Sequence, residues 1–158
     1  SVPPGLDVNF RQVDLGNLLW TKALPQEEWD IVSMFAVLHH IPSHRLRRLL
    51  LNQLREIIPE GASFCLSVWQ LQNSPRLLPR IKPWEMVGIP HRDVEEGDVL
   101  MDWRAGLESR DAAEALRYIH IFNEEELHLL AQFANFKIEQ SFYSDGKEGN
   151  LALYQVWR

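Results

Sequence analysis

The sequence predicts an α/β fold: parallel strands covered by helices, closing in an antiparallel hairpin. Three observations predict it. Ile31–Leu38 (IVSMFAVL) is a nearly continuous apolar run, too short for a typical helix and bounded by charge and by Pro42; this suits a strand buried on both faces. A helical pattern and a second apolar stretch follow at once, giving a strand–helix–strand unit of the kind whose crossover is right-handed. The last strand signals, Phe136–Tyr143 and Leu151–Trp157, flank Ser144-Asp145-Gly146, Gly149 and Asn150, a terminal hairpin pattern.

Taken in order, Val8–Leu15 (VNFRQVDL) is rich in strand formers and reads as a strand ending at Asp14. After Ile31–Leu38, Ser43 is a good helix cap. Leu46, Leu49, Leu50, Leu54, Ile57 and Ile58 recur at three- and four-residue spacing, an amphipathic helix with Arg45, Arg47, Arg48 and Arg55 mostly off the apolar stripe. Pro59-Glu60-Gly61 stops it, and Ala62–Trp69 is the next strand. Residues 70–106 carry Pro75, Pro79, Pro83 and Pro90 and little periodicity, so they read as a long loop or lid over the carboxyl ends of the strands. Ser109–Tyr118 suits a short helix running into an extended stretch, Tyr118–Phe122. In that stretch Tyr118 and His120 face one way and Arg117 the other. Asn123 caps a helix whose first turn, Glu124-Glu125-Glu126, matches the positive helix end.

At 158 residues the chain is a single domain, residues 1–158, long enough to bury a core without staples. One cysteine, Cys65, excludes an internal disulfide framework and a cysteine-rich zinc site. Cys65 sits mid-strand among apolar residues, as an inert packed thiol does. No apolar run approaches the roughly 20 residues that span a bilayer, so no membrane partner is expected. With one thiol and no leader at Ser1, the expected location is the cytoplasm. The formal net charge of −6 argues against a general nucleic-acid coat, yet it is unevenly spread. Residues 40–92 carry Arg45, Arg47, Arg48, Arg55, Arg76, Arg80, Lys82 and Arg92 against Glu56, Glu60 and Glu85, whereas residues 93–126 are strongly acidic. The basic part suits either a solvated face or a phosphate backbone.

Several residues invite a chemical reading. His39-His40 lies just past the carboxyl end of an apolar strand, where open α/β sheets bind ligands; packed histidines that cap backbone groups are the alternative. His39, His40 and His44 have no carboxylate or cysteine spaced nearby to complete a metal site, so no metal is expected. Asp14 is either a turn residue before Gly16-Asn17 or a carboxylate that accepts from a ligand amine. Trp84 and Trp103 fall in the long loop, where they either stack on flat ligands or pin the loop to the core. There is no glycine-rich phosphate loop and no nucleophile elbow.

The run Trp29-Asp30-Ile31-Val32, Val37-Leu38-His39-His40-Ile41-Pro42 and Leu54-Arg55-Glu56-Ile57-Ile58-Pro59-Glu60-Gly61 resembles the central part of class I S-adenosylmethionine-dependent methyltransferases, with their Rossmann-like α/β sandwich. Val13-Asp14-Leu15 resembles the end of that superfamily's third strand. More finely, Ser67-Val68-Trp69, Gly97-Asp98-Val99-Leu100-Met101-Asp102-Trp103, Arg117-Tyr118-Ile119-His120-Ile121-Phe122 and Gly149-Asn150 resemble the family that methylates carboxymethyluridine at the tRNA wobble position. Here Met101-Asp102 stands where that family has Val-Pro, and Leu151 where it has a tryptophan. No counterpart of the superfamily's first two strand–helix units is present, roughly 60 residues at about 30 per unit, so the chain resembles the carboxyl-terminal two-thirds of such an enzyme.

The resemblance implies S-adenosylmethionine as cofactor, held by Asp14, Leu15, Phe35 and Ala36. It implies catalytic roles for His39, His40, Arg117 and His120, the histidines orienting the acceptor and Arg117 pairing with its carboxylate. Arg47, Arg48, Trp103 and Asn150 would face the substrate. The implied partners are tRNA, or a small-molecule acceptor on the same scaffold, with a small activator protein as a further partner; a non-catalytic methyltransferase-like subunit is the remaining reading.

Overall fold

A computed structural model of the chain describes residue 5 and residues 7–25, 28–103 and 115–158. Its strands are β1 (Ile31–Phe35), β2 (Ser63–Trp69), β3 (Ile81–Lys82), β4 (Asp98–Trp103), β5 (Ala115–His120), β6 (Ile138–Ser144) and β7 (Ala152–Trp157), and its helices are α1 (His44–Ile57) and α2 (Glu124–Phe133). A four-stranded sheet runs β1-β2-β7-β6 and a three-stranded one β3-β4-β5. β1 and β2 are parallel, Ile31 opposite Ser63, as a strand–helix–strand unit requires. β7 inserts antiparallel between β2 and β6, so the terminal hairpin completes the larger sheet.

α1 begins where Ser43 Oγ accepts from the Leu46 N–H (3.3 Å), and α2 where Asn123 Oδ1 accepts from the Glu126 N–H (2.8 Å); both caps are as the sequence predicts. The two helices cover one face of the larger sheet. Leu50, Leu51 and Leu54 of α1 and Leu127, Leu130 and Ala131 of α2 bury against Phe64, Leu66, Leu153 and Trp157. Each fully buried leucine contributes roughly 1.5–3 kcal/mol of transfer energy.

Four expectations are corrected. β1 ends at Phe35 rather than Leu38, and only one of its faces is buried: Ile31 is 65% and Phe35 53% exposed. Among the described residues, helices cover one face only, so the apolar run packs Val32 and Met34 and leaves the alternate positions open. Residues 8–15 form no strand, because they meet no sheet edge; Phe10 is 85% exposed. The chain instead turns at Asp14 and docks Trp20, whose Nε1 donates to Gln53 Oε1 of α1 (2.9 Å). Residues 70–106 are not one structureless loop. They contain β3, β4 and several single-turn helices, and Leu71, Met101 and Ile119 form a small core of their own. The helix expected over Ser109–Tyr118 falls partly outside the described residues; its described part, from Ala115, is β5, drawn into the ladder that β4 offers.

The small sheet sits at the carboxyl ends of β1 and β2. His40 Nδ1 donates to the Tyr118 carbonyl of β5 (3.0 Å), and Gln70 Nε2, just past β2, donates to the Phe122 carbonyl just past β5 (3.1 Å). Among the described residues no helix is long and apolar enough to cross a membrane.

Candidate functional site

The cleft of interest follows from strand ends. β1 stops at Phe35, and the next residue, Ala36, takes φ 54°, left-handed backbone that a non-glycine residue rarely adopts. The strain is held by Ser67 of β2, whose Oγ and carbonyl both accept from the Ala36 N–H (3.1 Å each). The chain thereby leaves the sheet and makes the single turn Leu38–His40. Ala36, His40, Ala115, Leu116, Arg117 and Tyr118 line a shallow, open cleft of about 650 Å³ between this turn and β5.

The two histidines of the turn differ. His39 is fully buried, stacked on Trp69 at 5.0 Å between ring centroids, and its Nδ1 accepts from the Trp69 N–H (3.3 Å). Burial first, then the charges of His40 and Arg117, pull its pKa down to about 3, so it is neutral at any ordinary pH. It does not line the cleft and acts as packing, the alternative its sequence position left open. His40 does line it; burial and Arg117 lower its pKa, while the bond to the Tyr118 carbonyl works in the opposite direction.

Two further residues read as site residues are internal. Arg47 has a side chain only 1% exposed. Its Nη2 donates to Glu95 Oε2 (2.6 Å), its Nη1 to Tyr118 Oη (3.1 Å) and to the Ile41 carbonyl (3.2 Å). It cannot reach a phosphate without breaking these. Its position was legible: Arg47 stands at i, i+3, i+7 with Leu50 and Leu54, on the apolar stripe and not off it. His120 is 2% exposed, with Asp98 Oδ1 at 2.7 Å from Nδ1 and Glu126 Oε2 at 2.9 Å from Nε2. Both ring nitrogens are engaged by carboxylates, so His120, which lines a second cleft with Arg47, Glu95 and Glu126, has no nitrogen free for an acceptor in this arrangement. Tyr118 and His120 do share a face, since Tyr118 Oη also donates to Asp98 Oδ1 (2.6 Å).

Sequence reasoning missed this network of Arg47, Glu95, Asp98, Tyr118, His120 and Glu126, because its members lie far apart in the chain and meet only when β4 pairs with β5. Burial, then the Asp98 bond, raises the Tyr118 pKa well beyond that of a free phenol. Ligating atoms of Glu95, Asp98 and His120 lie within 4.8 Å of one another, as in a metal site, but Arg47 and Tyr118 occupy the carboxylates.

The remaining predicted residues are spread out. Asp14 is exposed, its Oδ1 accepting from the Gly16 N–H (2.9 Å) in an Asx turn. Leu15 packs against the main core. Arg48 stacks its guanidinium 3.3 Å over the Phe133 ring. Trp103 ends β4 opposite Ala115. Asn150 lines a separate groove with Asn73, Arg76 and Lys147, and its carbonyl accepts from Asn73 Nδ2 (3.0 Å).

A parallel pair with a cleft at its carboxyl end and a hairpin strand inserted antiparallel defines a Rossmann-like α/β sandwich. Residues 4–141 match the family model of a methyltransferase domain, and the chain belongs to that family. No curated protein matches it by sequence. Solved structures share the fold. An S-adenosylmethionine-dependent methyltransferase from Clostridium acetobutylicum superposes with a TM-score of 0.67 at 13% identity, over 98% of this chain and 65% of its own. One from Methanosarcina mazei gives 0.58 at 20% identity, over 82% and 58%. The glycopeptide N-methyltransferase MtfA, in complex with S-adenosylmethionine, gives 0.55 at 10% identity, over 85% and 55%. The chain thus spans about half to two-thirds of the length of these structures.

Proposed function

We propose that this protein transfers a methyl group from S-adenosylmethionine to an acceptor held in the cleft between Ala36, His40 and Arg117. The observation that supports it is the place of that cleft, at the carboxyl ends of β1 and β2 in a chain of the methyltransferase family. Of the residues expected to hold the cofactor, Ala36 lines this cleft. Its left-handed backbone is the kind of feature that fixes a ligand's path, whereas Phe35, one residue earlier, turns its ring to Tyr154. Asp14 keeps one carboxylate oxygen outside its turn bond for an adenine amine, and Leu15 stands beside it. S-adenosylmethionine supplies an electrophilic methyl group. The chain's own part begins with alignment, which carries much of the rate in an in-line transfer.

The acceptor reading divides. A small molecule is favoured because half of the basic run makes contacts within the chain: Arg47 with Glu95, Arg80 with Asp102, Arg48 over Phe133 and Arg55 over Phe136. The tRNA carboxymethyluridine reading draws on the Arg117–Phe122 segment, with Arg117 in the cleft wall to meet a carboxylate. Calorimetric titration with S-adenosylhomocysteine tests the cofactor, and absence of binding would overturn the proposal. Titration with tRNA at several salt concentrations separates the acceptors. A tRNA enzyme shows affinity falling with salt, and Arg45→Ala with Arg48→Ala flattens the slope by about one to two units. A small-molecule enzyme shows no binding at physiological salt.

A further inference from the structure

We infer that His40 is the general base of the transfer, and that the acceptor atom is an oxygen carrying a proton, a hydroxyl or phenol rather than a carboxylate. The inference rests on the methyl-transfer reading above and sharpens its acceptor. It starts from a tautomer. The Tyr118 carbonyl can only accept, so the 3.0 Å contact from His40 Nδ1 places the ring proton on Nδ1. Nε2 is then a lone pair. No described residue donates to it, and it is not among the sealed, unpartnered nitrogens of the interior; the half-buried ring lines the cleft.

The adjacent ring is set the other way. The Trp69 N–H donates to His39 Nδ1, so the His39 proton sits on Nε2, which is sealed inside the protein. Of the two histidines, only His40 lines the crevice, and its Nε2 is the ring nitrogen that no described residue donates to. Burial and the Arg117 charge keep that ring neutral at pH 7; Arg117 on β5 and His39 on the same turn are the titratable or charged groups that bear on it.

A neutral hydroxyl that gains a methyl becomes an oxonium unless its proton leaves. The O–H proton passes to His40 Nε2 as the oxygen–methyl bond forms. The carbon–sulfur bond breaks with its electron pair remaining on sulfur, and the imidazolium then releases the proton to water. The positive charge of Arg117 favours the developing oxyanion. A carboxylate acceptor, already nucleophilic, would leave this nitrogen without a task.

Diethyl pyrocarbonate acylates accessible, unprotonated imidazole nitrogens. In the full chain at pH 5.5, mapped by mass spectrometry, His40 reacts faster than N-acetylhistidine methylamide in the same solution, whose ring is mostly protonated there, while His39 stays unmodified. Reaction slower than the reference, or none, overturns the inference. A second arm compares phenol with thiophenol, which is already anionic at pH 8. His40→Asn, which keeps a donor for the Tyr118 carbonyl, lowers methylation of phenol a hundredfold or more and that of thiophenol less than threefold. Equal losses, or none on phenol, overturn it. If the unsubstituted protein methylates neither probe while His40 acylates as expected, the failure belongs to the methyl-transfer reading and not to the basic nitrogen.

Discussion

Arg47 and Arg48 are neighbours with opposite environments, and the difference is measurable. Removing Arg47 empties a buried site and takes a donor from Tyr118, while Glu95, 39% exposed, turns to water; the loss is about 2–3 kcal/mol. Removing Arg48 loses a surface stacking contact of about 0.5–1 kcal/mol. Urea unfolding of Arg47→Ala and Arg48→Ala should show that gap; equal midpoints would mean the Arg47 network carries no stability. His39 yields a pH prediction. Above pH 6.5 it is neutral folded and unfolded, and its titration has no effect. Below 6.5 the unfolded chain takes up a proton that the folded chain refuses down to about 3, so stability falls with falling pH. Between pH 6.5 and 5 the loss is about 2 kcal/mol at about 1.4 kcal/mol per unit. His39→Asn should remove that part of the acid sensitivity, as urea midpoints across the window would register.

At the scale of elements, the entry to β4 depends on one glycine. Gly97 has φ +89°, and a Cβ there would stand 2.9 Å from the Ile121 carbonyl oxygen and 3.1 Å from His120 Cε1. Its own carbonyl accepts from the Ile121 N–H (2.8 Å), which ties the start of β4 to the end of β5. Gly97→Ala should cost about 2 kcal/mol or more, from left-handed strain plus a backbone clash. It should also disturb the Asp98–His120 contact, visible as a shifted His120 ring resonance. A variant with unchanged stability and spectrum would show that the β4–β5 ladder has slack. The same element shows why a reading by periodicity missed the small sheet. β4 and β5 alternate poorly because one face meets only a three-residue core, Leu71, Met101 and Ile119, and the other a polar network.

At the scale of the molecule, two cores of unequal size imply two levels of local stability. The larger sheet buries Phe64, Leu66, Val68, Leu153 and Trp157 beneath two helices, whereas the small sheet rests on far less apolar surface. Hydrogen exchange should therefore show β4 and β5 amides opening at lower free energy than those of β2 and β7. The opposite order would mean that the polar network, and not apolar burial, holds the small sheet. Because β5 forms one wall of the cleft, such opening would widen it while the histidine turn stays with the larger sheet.

What the sequence determined by itself was whatever local chemistry decides. Ser43 and Asn123 cap helices because a side-chain oxygen three residues ahead of an amide satisfies it wherever the helix lies. The β1–α1–β2 unit and the terminal hairpin follow from apolar runs joined by short connections. The methyltransferase family, too, was legible in short motifs, and the match of residues 4–141 to a methyltransferase domain bears out that coarser resemblance, not the finer one to the tRNA wobble family. The tertiary structure decided which polar residues face a ligand and which face each other. His39 and His40 are identical in sequence terms and opposite in role, because one meets the Trp69 amide and the other the Tyr118 carbonyl. Arg47, Asp98 and His120 read as surface or site residues until β4 pairs with β5 and brings them within 3 Å of partners tens of residues away. Residues 8–15 have strand composition and no strand, since a strand exists only when another offers its edge.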